Sequence, residues 1–285
     1  MEIEVKKEAP KYVKDTFEEY LAKKDRISAS DIKTFLKSPR LYYYERFEKE
    51  TDPNAPTPRH FAVGSALHEL ILEPKYFKQH YVIMQKFDRR TTIGKEAYAK
   101  FYEDNQDREI IDEVELEMIT KMCETAIKNK TLTELIRNSH KELSVYTVDI
   151  PTGLKIRMRP DSLSTNKSTI TDVKSCTKKF RGDVYKFGYS ISAAFYSDFI
   201  GRENYIFAAT EKTPPHQLSL FALNDEMMNY GRVQYRMGLD LIKWSIDNDF
   251  WCDYNEFELL KECYDLGTLD DFFDTLENAD LITIL

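Results

Sequence analysis

The chain has 285 residues, 42% of them hydrophobic and 13% aromatic, which is enough apolar surface for a buried core and too much for a disordered tail. No run of about 18 apolar residues occurs, so no transmembrane helix is expected. The charged start MEIEVKKEAPKYVKD lacks the apolar stretch of a secretory signal, and a cytoplasmic location follows as the expectation. The formal net charge of −8 counts against a surface that attracts nucleic acid everywhere, so any phosphate-binding region has to be local.

In chain order, residues from about 12 to 137 read as helical. Thr16 opens an exposed amphipathic helix. Ser28 or Ser30 can cap the next, SASDIKTFLKS, with Ile32, Phe35 and Leu36 as its apolar stripe. The loop TDPNAPTPRH follows, then a helix from His60 to Leu72 that Pro74 stops. Residues 92–105 and 110–128 carry apolar residues at helical spacing. The character changes near residue 143. LSVYTVDI and LKIRMRP read as strands joined at Pro151-Thr152-Gly153, with Asp161 at the end of the second. STNKS is a polar loop, STITDVKS a strand, 183–200 a helix, 203–210 a strand, HQLSLFAL a short strand and 224–247 a long helix. From Asp247 onward Lys261 is the sole basic residue. The order predicts an α+β plan with a small mixed sheet flanked by helices.

Chemistry concentrates in Arg159-Pro160-Asp161 and Asp172-Val173-Lys174. Side chains alternate along a strand, so Asp172 and Lys174 share a face while Val173 can enter the core. With Asp161 arriving from the neighbouring strand, two carboxylates and an ammonium meet in one patch. Two carboxylates suit a hard, oxygen-seeking ion such as magnesium, and a lysine can orient water and offset charge in phosphodiester hydrolysis. The same three residues on exposed strand ends would be a surface ion pair. The charges Lys155, Arg157, Arg159, Lys178, Lys179, Arg181 and Lys186 form a locally basic centre, which fits either a DNA cleft or a solvated surface. No phosphate-binding glycine loop, H-E-x-x-H or G-x-S-x-G occurs.

These blocks, in this order, resemble the exodeoxyribonuclease VIII (RecE-like) branch of the PD-(D/E)XK nuclease superfamily. The likeness runs over roughly residues 27–220. It rests on Ile27 to Pro39, on Gly64-Ser-Ala-Leu-His-Glu and its continuation to Pro74, on Arg159-Pro-Asp161, on Ile170-Thr-Asp-Val-Lys-Ser175, and on the helix Tyr189 to Asp198. It implies a restriction-endonuclease-like core with a helical N-terminal part. The expected division is a helical extension over 1–26, a nuclease domain over 27–250 and an acidic tail over 251–285.

By resemblance, Asp161, Asp172 and Lys174 are catalytic. Asp161, Asp172, the backbone carbonyl of Val173 and a ring nitrogen of His68 hold the metal, magnesium with manganese as substitute. Glu142 stands where some relatives place a further carboxylate. Tyr196 matches the family tyrosine, whereas Ser192 replaces a longer glutamine one turn earlier. Arg159, Lys178 and Lys179 are expected to contact DNA. The cysteines Cys123, Cys176, Cys252 and Cys263 lack the tight trio of cluster-bearing relatives and read as reduced thiols.

The resemblance implies 5′-to-3′ digestion of linear duplex DNA, leaving 3′ overhangs for a RecT-like single-strand annealing partner in a phage-type recombination setting. It also implies a ring-shaped homo-oligomer, a tetramer by analogy. The acidic tail would then point away from the channel, so that removing residues 264–285 leaves activity intact. The other readings are a Cas4-like or restriction-like nuclease of different polarity, and a catalytically weak DNA-binding or assembly protein.

Overall fold

The structure, a computed structural model, describes residues 5–50, 59–165, 169–177 and 180–279. Lys178 and Lys179 lie outside the described residues.

The chain begins with β1 (Lys11–Val13), α1 (Phe17–Ala22), α2 (Ala29–Lys37), α3 (Pro39–Tyr43) and a π-helical turn at Tyr44–Glu48. Next come α4 (Arg59–Leu72), α5 (Phe77–His80), β2 (Tyr81–Ile83), α6 (Thr92–Glu103), β3 (Glu109–Ile111), α7 (Glu113–Lys128) and α8 (Lys130–Arg137). The central part holds β4 (Ser139–Lys141), β5 (Ser144–Val148), β6 (Lys155–Met158), β7 (Ser162–Ser164), β8 (Thr169–Cys176), α9 (Phe180–Lys186), α10 (Tyr189–Ile200), β9 (Asn204–Glu211) and β10 (Leu218–Ala222). The chain closes with α11 (Asp225–Asn248), α12 (Tyr254–Leu266) and α13 (Phe272–Asn278).

Ser28, not Ser30, caps α2, and it does so reciprocally with Asp31. Asp112 and Glu115 close the start of α7 in the same way.

The plan is α+β, as the element order predicts. A five-stranded sheet runs β10-β9-β8-β7-β4, and a three-stranded sheet runs β1-β5-β6. β8 and β9 are parallel. A parallel pair needs a helical crossover, and α9 and α10 provide it. Helices cover both faces of β8 and β9. On one face Val173 and Ala208 join Leu67, Ile119, Met122 and Ala126 from α4 and α7. On the other, Ile170 and Phe207 join Phe195, Phe199, Tyr235 and Phe35 from α10, α11 and α2. Each such fully buried aromatic contributes roughly 1.5–3 kcal/mol by leaving water.

α11 lies close on α10. A Cβ at Gly231 would stand 2.1 Å from the carbonyl oxygen of Ser190, so only glycine permits that approach.

Four sequence expectations change. The segment expected to be a helical extension over 1–26 contains a strand, because β1 adds to the edge of β5 with Lys11 opposite Tyr146. The short strands β2 and β3, inside the stretch read as helical, pair with each other. The helix expected over 183–200 is two helices, broken at Gly188, whose φ is 60°.

The fourth concerns the stretch expected to be an acidic tail over 251–285, which supplies core residues: Phe257, Leu260, Cys263 and Phe272 are buried in the main cluster. Its carboxylates dominated the composition, but its apolar residues are spaced to bury one helix face. No helix among the described residues is long and apolar enough to cross a membrane, and all four cysteines are buried and unpaired.

Candidate active site

β5 and β6 form a hairpin in one sheet, while β7 and β8 belong to the other. Asp161 stands at the passage between them, in the link from β6 to β7. β7 pairs with β8 only at Ser162–Thr171 and Leu163–Ile170. Beyond the last pair of that ladder the Val173 N–H donates to the Asp161 carboxylate, at 2.7 Å. That bond fixes Asp161 over the middle of β8.

α4 crosses the far end of β8, with Gly64 facing Ser175, and one turn later brings His68 to Asp161. His68 Nε2 lies 2.6 Å from Asp161 Oδ2, and His68 Nδ1 lies 3.1 Å from Glu142 Oε1. Donor atoms of His68, Glu142 and Asp161 all fall within 4.8 Å of one another. Glu142 holds φ at 51°, a left-handed backbone that costs a non-glycine residue about 1 kcal/mol or more and concentrates at functional sites. Its side chain is held by Arg159, which donates from Nε at 2.9 Å.

Asp172 and Lys174 share the opposite face of β8, as alternation predicts, and Val173 is buried in the core between them. The Lys174 ammonium rests against Asp172 Oδ1. Tyr205, from β9, donates to Asp172 Oδ2 at 2.8 Å. Asp172 and Asp161 are near enough to share a hydrogen bond, so the two half-sites are continuous. Asp161, Asp172, Lys174, His68 and Glu142 are thus brought together. The tight donor triad contains Glu142, with Asp172 on the other side of Asp161.

The electrostatics follow from burial and pairing. Burial disfavours the charged His68 ring, but the charge and hydrogen bond of Asp161 and the charge of Glu142 outweigh it and raise its pKa to about 9. Burial alone would raise Asp161, yet His68 and Lys174 hold it well below the usual carboxylate range. Asp172 rises to about 6, because burial and the Asp161 charge exceed the attraction of Lys174. Lys174 is raised despite burial, by Asp172 and then Asp161. Paired carboxylates pushed apart in this way are a signature of functional sites.

The remaining expected residues take other places. Tyr196 accepts a hydrogen bond from the Arg159 backbone N–H at 3.3 Å. Ser192 lies between Tyr189 and Tyr196 on the same face of α10 by helical spacing. Arg159 is expected at a DNA surface, but its side chain is 11% exposed. Its guanidinium is taken up by Glu142, the Asp15 carbonyl and Ser144, so it positions Glu142. The Val173 carbonyl lies 3.4 Å from the Lys174 ammonium. Tyr205 carries no mark of a site residue in the sequence, because its partner Asp172 comes from another strand and no local pattern joins the two.

The family model that matches, over residues 28–262, is described as a PDDEXK-like domain of unknown function (DUF3799). Among solved structures, a candidate exonuclease from Eubacterium rectale aligns with a TM-score of 0.57 at 15% identity, covering 85% of this chain and 91% of its own. An alkaline exonuclease from Laribacter hongkongensis aligns at 13% identity over 82% of this chain and 97% of its own, with a TM-score of 0.32. At these identities the likeness concerns the fold, and only the first score is high enough to bear on it. No curated protein matches the sequence.

Proposed function

Because the chain belongs to the PDDEXK-like family DUF3799 and has its nuclease-type fold, we propose that it is a divalent-metal-dependent exodeoxyribonuclease acting on linear duplex DNA. The observation that carries this reading is the meeting of Asp161, Asp172 and Lys174 with His68 and Glu142 in one continuous cluster. The Eubacterium rectale protein is described as a candidate exonuclease, which agrees with it.

The donor set fits a hard divalent ion: two carboxylates and one imidazole within 4.8 Å, with a third carboxylate, Asp172, beside Asp161. His68, Glu142, Asp161 and Asp172 would hold magnesium or manganese, which when bound supplies an activated water and offsets charge on the scissile phosphate. The protein does the rest. Lys174 is held at Asp172, where its ammonium can donate to a phosphate oxygen as charge develops. Tyr205 fixes the far oxygen of Asp172, and Arg159 fixes Glu142. The Val173 N–H and His68 hold Asp161. Each acidic group therefore meets the substrate already oriented, which lowers the reorganisation needed in the reaction.

The resemblance to RecE-like exonucleases extends the proposal. Digestion runs 5′-to-3′ and leaves a 3′ strand for a single-strand annealing partner. The working form is a ring, a tetramer by analogy, in the cytoplasm. The test is duplex DNA labelled at either 5′ or 3′ ends, incubated with magnesium or with EDTA. Magnesium-dependent release of 5′ label, lost in Asp161→Ala, Asp172→Ala and Lys174→Ala, is expected. Release of 3′ label first refutes the polarity. Cleavage unchanged in all three variants refutes the site.

A further inference from the structure

Lys33 is a cation beside the site that the chemistry above leaves unused. It stands on α2, and its half-buried stem passes Gly188, where an added Cβ would come within 3.2 Å of Lys33 Cδ. Gly188 has φ at 60°, so the break between α9 and α10 needs glycine for its backbone, and the missing side chain leaves room for the lysine. The Lys33 ammonium lies 5.9 Å from the centroid of the Tyr189 ring, and the Lys174 ammonium lies 5.7 Å from the same ring. One aromatic ring is thus shared by two amines.

The two amines differ in their partners. Lys174 has Asp172. Lys33 has no hydrogen-bonded or ion-paired partner among the described residues, its one direct interaction being with the ring. An ammonium that is half out of water, next to a second cation and without an anion, is electrostatically unfavourable. Burial first, and then the Lys174 charge, push its pKa down to about 8, with Asp172 opposing only in part. An anion arriving there would relieve both costs. Ser192, one turn beyond Tyr189, is too short to serve as a long polar arm on that face.

We propose that Lys33 binds a non-bridging oxygen of the DNA phosphate next to the scissile one, holding the strand in register over Asp172 and Lys174. The proposal rests on the nuclease reading. Lys174, against Asp172, serves the scissile group, and Lys33, on the same ring, serves its neighbour in the backbone.

The experiment compares full-length wild type, Lys33→Met, Lys33→Gln and Lys33→Arg on linear duplex with magnesium, after thermal melts show that each is folded. Binding of the same duplex is measured against salt with calcium in place of magnesium. Losing one charge-assisted phosphate contact should raise KM about ten-fold or more while kcat changes little. The slope of log binding constant against log salt should become shallower by about 0.9. Lys33→Arg should restore most of KM, because it keeps the charge. Lys33→Met retains the apolar stem, and Lys33→Gln gives a second reading if methionine disturbs packing. Wild-type KM and salt slope in a folded Lys33→Met or Lys33→Gln variant overturn the role of Lys33 and leave the nuclease reading standing. A wild type that neither binds nor cuts duplex overturns both.

Discussion

Lys174→Met removes one charge from a pair whose side chains are 27% exposed for the lysine and 9% for Asp172. The thioether replaces the stem, so packing is largely kept and the electrostatic loss stands out. Asp172 then retains the Tyr205 hydrogen bond at 2.8 Å and a like-charged neighbour in Asp161. Breaking a buried pair from one side costs about 3–5 kcal/mol. Because the lysine side chain is partly exposed, the lower end of about 3 kcal/mol is expected here.

The sign with pH is fixed. The folded pKa of Asp172 is already raised to about 6, and without Lys174 it rises further. The protonated carboxyl is then the stable folded form. Its contribution is fully present below the unfolded carboxylate range and is lost as pH rises through the folded value, so the penalty of Lys174→Met grows from pH 5 to pH 8. Adding Asp172→Asn removes the orphaned charge, and the double variant should be more stable than Lys174→Met by about 1 kcal/mol or more at pH 8. Urea unfolding in EDTA measures all four members of the cycle. With magnesium, kcat should fall on the order of 10²–10³-fold or more in every variant. A Lys174→Met stability within about 0.5 kcal/mol of wild type, or strict additivity of the two substitutions, refutes the buried pair as described.

Phe272, fully buried between Trp244 at 5.0 Å and Phe250 at 5.9 Å, should cost about 3–5 kcal/mol when changed to alanine. Truncation at residue 264 should therefore unfold or inactivate the protein, and an unchanged melting temperature speaks against it. Gly231→Ala places a methyl 2.1 Å from the Ser190 carbonyl oxygen and should cost about 1–3 kcal/mol. It should also lower kcat, because α10 carries Tyr189 and Tyr196; a melt and rate equal to wild type refute the close contact. His68, raised to about 9 from its ordinary 6.5, stabilises the metal-free protein at pH 6 and loses that contribution as pH rises through 9. The urea-midpoint difference between wild type and His68→Asn should shrink across that window. Metal binding must displace the same proton, so metal affinity should rise over the same range. Calorimetry showing neither trend refutes the imidazolium bridge.

The sequence determined the chemistry on the strands. Alternation along Asp172-Val173-Lys174 puts two charged groups on one face and valine in the core, and this follows from the period of a β-strand wherever the strand lies. The helices of the N-terminal half, a serine cap at Ser28 or Ser30 and the strand–helix–strand order around Lys174 were legible for the same reason: each is set by residues within a few positions of one another. Composition misled at the C-terminus, because charge counts say nothing about which side of a helix is apolar. The tertiary structure alone decided what depends on distant partners. Past the end of the short β7–β8 ladder, the Val173 N–H goes to Asp161. Arg159 turns inward to Glu142. Tyr205 reaches Asp172 across a parallel pair of strands, and Lys33 comes to the Tyr189 ring from a helix more than a hundred residues upstream. Such contacts are fixed by how sheets and helices pack, and packing energy is shared over a whole core, so no short window of sequence contains it.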